Sequence, residues 1–216
     1  MKTCYIIGGA SLYNFDPKMT EGDMLIAADA GLKHCERLGI LPDLVVGDFD
    51  SYGSVPNFKN MVRLVPEKDD TDTLVCIKRA LDSGFKRFVI YGGTGGRFEH
   101  TLANLQSLAF LRKRGAHGFL IGERDITTVI CDETAVFDEK SYGFISLFSL
   151  DTQIVATETG LKYALDEGVV TNYFPIGVSN EFTGVRGKIS LKGMAAIVYD
   201  VKNGIDAVEF MDQEVF

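Results

Sequence analysis

Phe88-Val89-Ile90-Tyr91-Gly92-Gly93-Thr94-Gly95-Gly96-Arg97-Phe98-Glu99-His100 joins a strand pattern to a helix pattern through four glycines. Four apolar residues bounded by turn residues read as a buried strand. From Phe98 a helical pattern runs to Arg114, with Phe98, Leu102, Leu105 and Ala109 on one expected apolar stripe. Arg112, Lys113 and Arg114 suit its last turn, and Gly115 ends it. A glycine-rich turn between strand and helix exposes backbone N–H groups at a helix N-terminus, where anions are favoured. Gly93, Thr94, Gly95 and Gly96 are candidates for that contact, and Arg97 adds a bidentate phosphate donor. The turn is not a Walker loop, because no Gly-Lys-Ser/Thr follows. It also fails the dinucleotide fingerprint, whose third glycine position is Phe98 here. Taken alone, a tight turn explains the glycines, a first-turn acid explains Glu99, and a solvated or capping side chain explains His100.

The same unit recurs on either side. Apolar runs at 5–7, 24–27, 44–46, 62–65 and 119–121 read as further buried strands, and 30–38 and 72–83 as helices. In the second helix Leu74, Ile77 and Leu81 share a face and Gly84 stands at the stop. Strands alternating with helices imply a parallel sheet covered on both faces. After about residue 122 the pattern changes. Short runs at 127–131, 144–148, 153–156, 185–191 and 195–201 are separated by Gly and Asp/Asn breaks, the signature of a small antiparallel sandwich. The expected fold class is α/β: an N-terminal parallel α/β (Rossmann-like) domain over 1–122 and a C-terminal antiparallel β-sandwich over 123–216.

Three more turns fall on the same sheet edge. Gly47-Asp48-Phe49-Asp50-Ser51 follows the run at 44–46. In an extended chain residues two apart point the same way, so Asp48 and Asp50 would present neighbouring carboxylates that need a cation such as Mg²⁺. A polar turn capping a helix explains them as well. Lys68-Asp69-Asp70-Thr71-Asp72 precedes a helix. Asp70 or Thr71 can cap it, Asp72 can serve as a third metal ligand, and Lys68 can neutralise a phosphate. Ala28-Asp29-Ala30-Gly31 is the weakest of the set. Ligands bind at the carboxyl edge of open parallel sheets. Acids for a metal, with a glycine loop and an arginine for phosphates, together describe a Mg²⁺–nucleotide site.

Composition agrees with this. The 216 residues carry 22 Lys plus Arg and 30 Asp plus Glu, a net charge of −8. That argues against a nucleic-acid binder working by phosphate neutralisation, but not against a nucleotide bridged by Mg²⁺. Cys4, Cys35, Cys76 and Cys131 show no metal-ligand spacing and read as free buried thiols. The N-terminal apolar run is too short for a signal peptide, and no window reaches the roughly 20 apolar residues of a membrane span, so the expected location is cytoplasmic. His34 and His117 are isolated. No Ser or Cys stands beside a base in a recognisable motif, so nucleophilic catalysis has no support.

The four turns, the segment continuing through His100-Thr101-Leu102-Ala103-Asn104, and the late segment Gly177-Val178-Ser179-Asn180-Glu181-Phe182 resemble, in order, the thiamin pyrophosphokinase family. The resemblance implies an ATP-binding α/β domain, a β-sandwich contributing to thiamin binding and dimerisation, and a homodimer with sites between subunits. It implies transfer of the terminal diphosphate of ATP to the hydroxyl of thiamin. Mg²⁺ would sit on Asp48, Asp50 and Asp72, with Arg97 and Glu99 catalytic. ATP would lie along Asp29, Lys68, Thr71, the glycine loop, Arg97 and His100, and thiamin on Ser179 and Asn180. Asp72 and Glu99 are the candidates for taking the hydroxyl proton. The family often carries Asp where this chain has Glu99, and with no tryptophan any aromatic wall against thiamin must be Tyr or Phe. Two other readings use the same edge: another Mg²⁺–ATP kinase or nucleotidyltransferase with a different acceptor, and a nucleotide-sensing binding protein without turnover.

Overall fold

Six apolar runs in the first half pair as a parallel sheet in the computed structural model, which describes residues 1–49, 58–65 and 69–212. Asp50 and Lys68 lie outside the described residues. The chain divides into two units, Met1–Glu123 and Arg124–Phe216. In the first, β1 (Thr3–Ile7), β2 (Met24–Ala28), α1 (Gly31–Leu38), β3 (Leu44–Gly47), β4 (Met61–Arg63), α2 (Asp72–Asp82), β5 (Arg87–Tyr91), α3 (Phe98–Lys113) and β6 (His117–Ile121) follow in order. The strands lie side by side as β6-β5-β1-β2-β3-β4, every pair parallel. All five residues of β1 are buried, the near-continuous apolar run expected of a strand covered on both faces. The order reverses between β1 and β5: β2, β3 and β4 step away on one side and β6 on the other. That reversal leaves a crevice at the carboxyl ends of β1 and β5.

The helices start and stop for local reasons. Thr71 caps α2, its Oγ1 accepting the Leu74 amide at 3.2 Å. Gly39 and Gly84 take left-handed backbone just past α1 and α2. The expected stripe on α3 is overturned. Phe98 and Leu102 are 72% and 47% exposed, while Asn104, Ser107, Leu108 and Leu111 form the buried face. Two of those four are polar. Asn104 donates to the Gly93 carbonyl at 2.8 Å and Ser107 to Ala103 at 2.9 Å, so both are satisfied inside and no apolar periodicity marks the face.

The second unit is antiparallel throughout. It contains β7 (Asp125–Cys131), β8 (Glu133–Phe137), β9 (Phe144–Ser149), β10 (Gln153–Thr159), β11 (Leu165–Thr171), β12 (Asn180–Glu181), β13 (Gly187–Lys192), β14 (Met194–Asp200) and β15 (Val208–Asp212). The order β12-β9-β14-β7 makes one layer and β11-β10-β13-β8-β15 the other. Alternate residues point inward, as in β10, where Ile154, Ala156 and Glu158 are buried. Phe137 from one layer meets Tyr199 from the other, ring centroids 5.2 Å apart and edge-on, and Phe182 packs on Phe137 at 5.2 Å. The fold class is therefore α/β with a β-sandwich. Four strands carried no signal in the sequence reading. β8 begins one residue after β7, across Asp132 alone in a left-handed conformation, and β11, β12 and β15 are each paired along one side only, at the ends of their layers.

Cys4, Cys35 and Cys76 are buried, as expected, but Cys131 is half-buried rather than buried. No helix among the described residues is long and apolar enough to cross a membrane.

Candidate functional site

The crevice at the reversal of the first sheet is a cavity of about 590 Å³. Gly8 and Gly9 after β1 and Gly92 and Gly93 after β5 form part of its wall. The two turns are laced together: the Gly8 amide donates to Tyr91 O at 2.8 Å and the Ala10 amide to Gly92 O at 3.0 Å. Gly92 has φ +62, and a Cβ there would stand 2.5 Å from Gly8 O, so only glycine allows this approach. Asn104 pins Gly93 from below through the buried hydrogen bond already described. The Gly8-Gly9 pair and Asn104 were not among the expected site residues; glycines directly after a strand were the available signal for the first, and Asn104 stood only as the end of the segment carrying the family resemblance.

Of the expected residues, Asp29, Asp48, Thr71, Asp72, Gly93, Gly96, Arg97 and His100 all line this cavity. Thr94 and Gly95 belong to the same turn but are not in its wall. Asp69 and Asp70 do line it, and Asp70 is held by Lys78 Nζ at 2.6 and 2.8 Å. Asp48 comes after the end of β3, and Phe49 takes φ +60. The extended geometry assumed for Asp48 and Asp50 therefore does not hold at Phe49. Glu99 stands on the exposed first turn of α3, where it accepts from Arg97 Nε at 2.6 Å. Its own backbone amide, and then the Arg97 guanidinium, hold its carboxyl below the usual range. His34 donates to Ala10 O from Nε2 at 2.8 Å. The tautomer follows from Arg37, which can only donate, to Nδ1 at 3.2 Å.

Among the described residues no three His, Cys, Asp or Glu side chains come together as a ready-made metal cluster. The donor set nevertheless suits Mg²⁺. That ion takes one or two protein carboxylates and completes its octahedron with waters and substrate phosphates. Asp48 and Asp72 supply carboxylates on the same cavity whose glycine turns suit phosphate oxygens.

Ser179 and Asn180 belong to the second unit. Ser179 is exposed, with φ +60, and its amide donates to Ser146 Oγ at 3.0 Å. Asn180 is 7% exposed, and its side chain is hydrogen-bonded within the unit. Burial pushes the neighbouring Glu158 carboxyl above its ordinary range, offset in part by the hydrogen bond from Asn180.

Comparison with known proteins agrees with the geometry. A family model described as thiamin pyrophosphokinase, catalytic domain, matches residues 15–120, and one described as thiamin pyrophosphokinase, vitamin B1 binding domain, matches residues 134–193. The thiamine pyrophosphokinase of Bacillus subtilis (strain 168) is 29% identical over 212 residues, covering 92% of this chain and 98% of that protein. A crystal structure of thiamine pyrophosphokinase from Bacillus subtilis superposes with a TM-score of 0.82 at 26% identity, covering 92% of this chain and 99% of that one. Thiamin pyrophosphokinase from Candida albicans, at 16% identity, shares the fold with a TM-score of 0.74 over 92% of this chain and 88% of that one.

Proposed function

We propose, because this chain belongs to the thiamin pyrophosphokinase family and is a kinase, that it moves the terminal diphosphate of ATP onto the hydroxyethyl oxygen of thiamin. The hydroxyl oxygen attacks the β-phosphorus, and the bond from that phosphorus to the α,β-bridging oxygen breaks. AMP leaves with the bridging oxygen, the hydroxyl proton is lost, and thiamin diphosphate remains. The observation that carries the reading is the convergence of acids, glycine turns and Arg97 on one cavity at the sheet's reversal point.

In this reading Met1–Glu123 binds ATP and Arg124–Phe216 contributes to thiamin binding and dimerisation. Asp48, Asp50 and Asp72 hold Mg²⁺, which when bound draws charge from the diphosphate oxygens. The amides of the glycine turns and Arg97 take up the rest of that charge. Asp29, Lys68, Thr71 and His100 position the nucleotide; the Thr71 hydroxyl oxygen is already engaged in capping α2, which leaves its proton for a phosphate. Asp72 and Glu99 remain the two candidates for taking the hydroxyl proton; its own backbone amide, and then Arg97, hold the Glu99 carboxyl below its ordinary range. Most of the acceleration comes from positioning. Four cysteines without metal-ligand spacing, three of them buried, fit a reducing, cytoplasmic location.

The chain works as a homodimer with each site shared between subunits. Mixing an Asp72→Asn chain with a Ser179→Trp chain tests this: hybrids regain activity above either parent if sites are shared and stay at the parental level if they are not. Incubation with ATP, Mg²⁺ and thiamin, with products identified by mass, tests the reaction itself. AMP with thiamin diphosphate is expected. ADP, pyrophosphate or no thiamin-dependent product would each point to one of the other readings.

A further inference from the structure

Asn180 belongs to the segment expected to meet thiamin, yet its amide has nothing left to offer a ligand. A carboxamide has two N–H donors and one oxygen with two acceptor positions. Nδ2 donates to Glu158 Oε2 and to Tyr163 O, each at 2.7 Å. Oδ1 accepts the Tyr163 amide and the Glu181 amide, each at 2.9 Å. Backbone amides can only donate, so the orientation of the carboxamide is fixed by its partners.

The turn in front of it is held from the other side by β9. Leu147 N donates to Gly177 O at 2.8 Å, and Ser179 N to Ser146 Oγ at 3.0 Å. A Cβ on Gly177 would stand 2.2 Å from Leu147 O, so the segment lies directly on the strand. Behind it, Glu158 is 6% exposed on β10, level with Leu165 on β11 and Ile189 on β13. An apolar side chain would fill that place without the cost of a buried carboxyl. What a carboxyl adds is an acceptor for the inner Asn180 N–H.

We infer that Glu158 is a positioning residue for thiamin binding. By accepting from Asn180 it fixes the 177–181 segment, so that the exposed turn at Val178 and Ser179, rather than the Asn180 side chain, meets the substrate. The inference rests on the proposed function.

Three substitutions at Glu158 separate the roles. Glu158→Met keeps the volume and removes the acceptor. Glu158→Asp keeps the charge but is one methylene too short. Glu158→Gln keeps an acceptor at the same reach. The KM for thiamin should rise about tenfold or more in the Met and Asp variants, as a buried N–H loses its partner. The KM for ATP should stay within about twofold, and Glu158→Gln should recover most of the loss. Thermal melts establish that each variant is folded, and Glu158→Asp carries the test if Glu158→Met does not fold. An unchanged thiamin KM in folded Met and Asp variants would overturn the inference. So would an equal rise in both KM values, or loss in Glu158→Gln with none in Glu158→Asp. Failure of the unsubstituted protein to make thiamin diphosphate would instead sink the proposed function.

Discussion

Lys78 Nζ donates to both carboxylate oxygens of Asp70, 2.8 Å from Oδ1 and 2.6 Å from Oδ2. A cation from within α2 thus balances one acid of the 69–72 turn. Asp70→Asn should therefore lower kcat by no more than about fivefold, since the charge it removes is already compensated. If Asp48 and Asp72 hold Mg²⁺ as proposed, Asp48→Asn and Asp72→Asn should each cost on the order of 100-fold or more, the effect of losing a ligand to a charge-stabilising metal. Steady-state rates at saturating ATP and Mg²⁺ check this, and an Asp70→Asn loss as deep as that of Asp72→Asn would contradict it.

Arg97 and Glu99 form an ion pair whose side chains are 74% and 62% exposed. Such a pair adds little to folding; the prediction is that it places Arg97 at the cavity. Glu99→Gln should leave the melting temperature unchanged and reduce kcat, while Glu99→Asp keeps much of the activity. Equal, mild losses in both would reduce Glu99 to a first-turn acid.

Asn104 supports Gly93 from inside the first unit. Asn104→Ala leaves a buried carbonyl without its donor, at a cost of about 1–3 kcal/mol in stability. It also loosens the glycine turn, so the KM for ATP should rise. Chemical denaturation with parallel ATP kinetics would show both; a stability loss with unchanged KM would separate the turn from nucleotide binding.

Much of the first unit was legible because its strands are unbroken apolar runs and its helices carry their own stops. What failed was structure set by distant or polar partners. The buried face of α3 is half polar, so periodicity pointed to Phe98 and Leu102 instead. Phe49 departs from the extended backbone on which the pairing of Asp48 with Asp50 was argued. The role of Asn180 depends on Tyr163 and Glu158, 17 and 22 residues away in the chain, and no local pattern announces such a partnership. Four turns of the cavity, at Asp29, Asp48, 69–72 and 92–97, were legible for the opposite reason: each is a short run read at the end of its own strand, whereas the Gly8-Gly9 turn, with no charged residue beside it, was missed.

His117, on β6, should report on acid stability. Burial first, then Arg112 and Arg87, push its imidazole down to about 4, against an ordinary value of 6.5. The folded state thus resists a proton that the unfolded chain accepts. The resulting stability is present above about pH 6.5 and is lost as pH falls from there towards 4. Nuclear magnetic resonance should find the His117 ring untitrated between pH 8 and 5.5. Denaturation of His117→Gln should show a flatter acid limb than the unsubstituted protein, and identical limbs would refute the assignment.

The unequal burial of the four cysteines makes the chain a ready substrate for site-selective conjugation. Burial raises the thiols of Cys4 and Cys76 well out of the nucleophilic range and that of Cys35 to about 11, whereas Cys131 is half-exposed at the end of β7. A maleimide dye should therefore attach once per native chain, at Cys131, and four times after denaturation. A fluorophore could be placed on the sandwich without any engineered residue, and the count of attached dyes would serve as a direct gauge of how much of the population is folded.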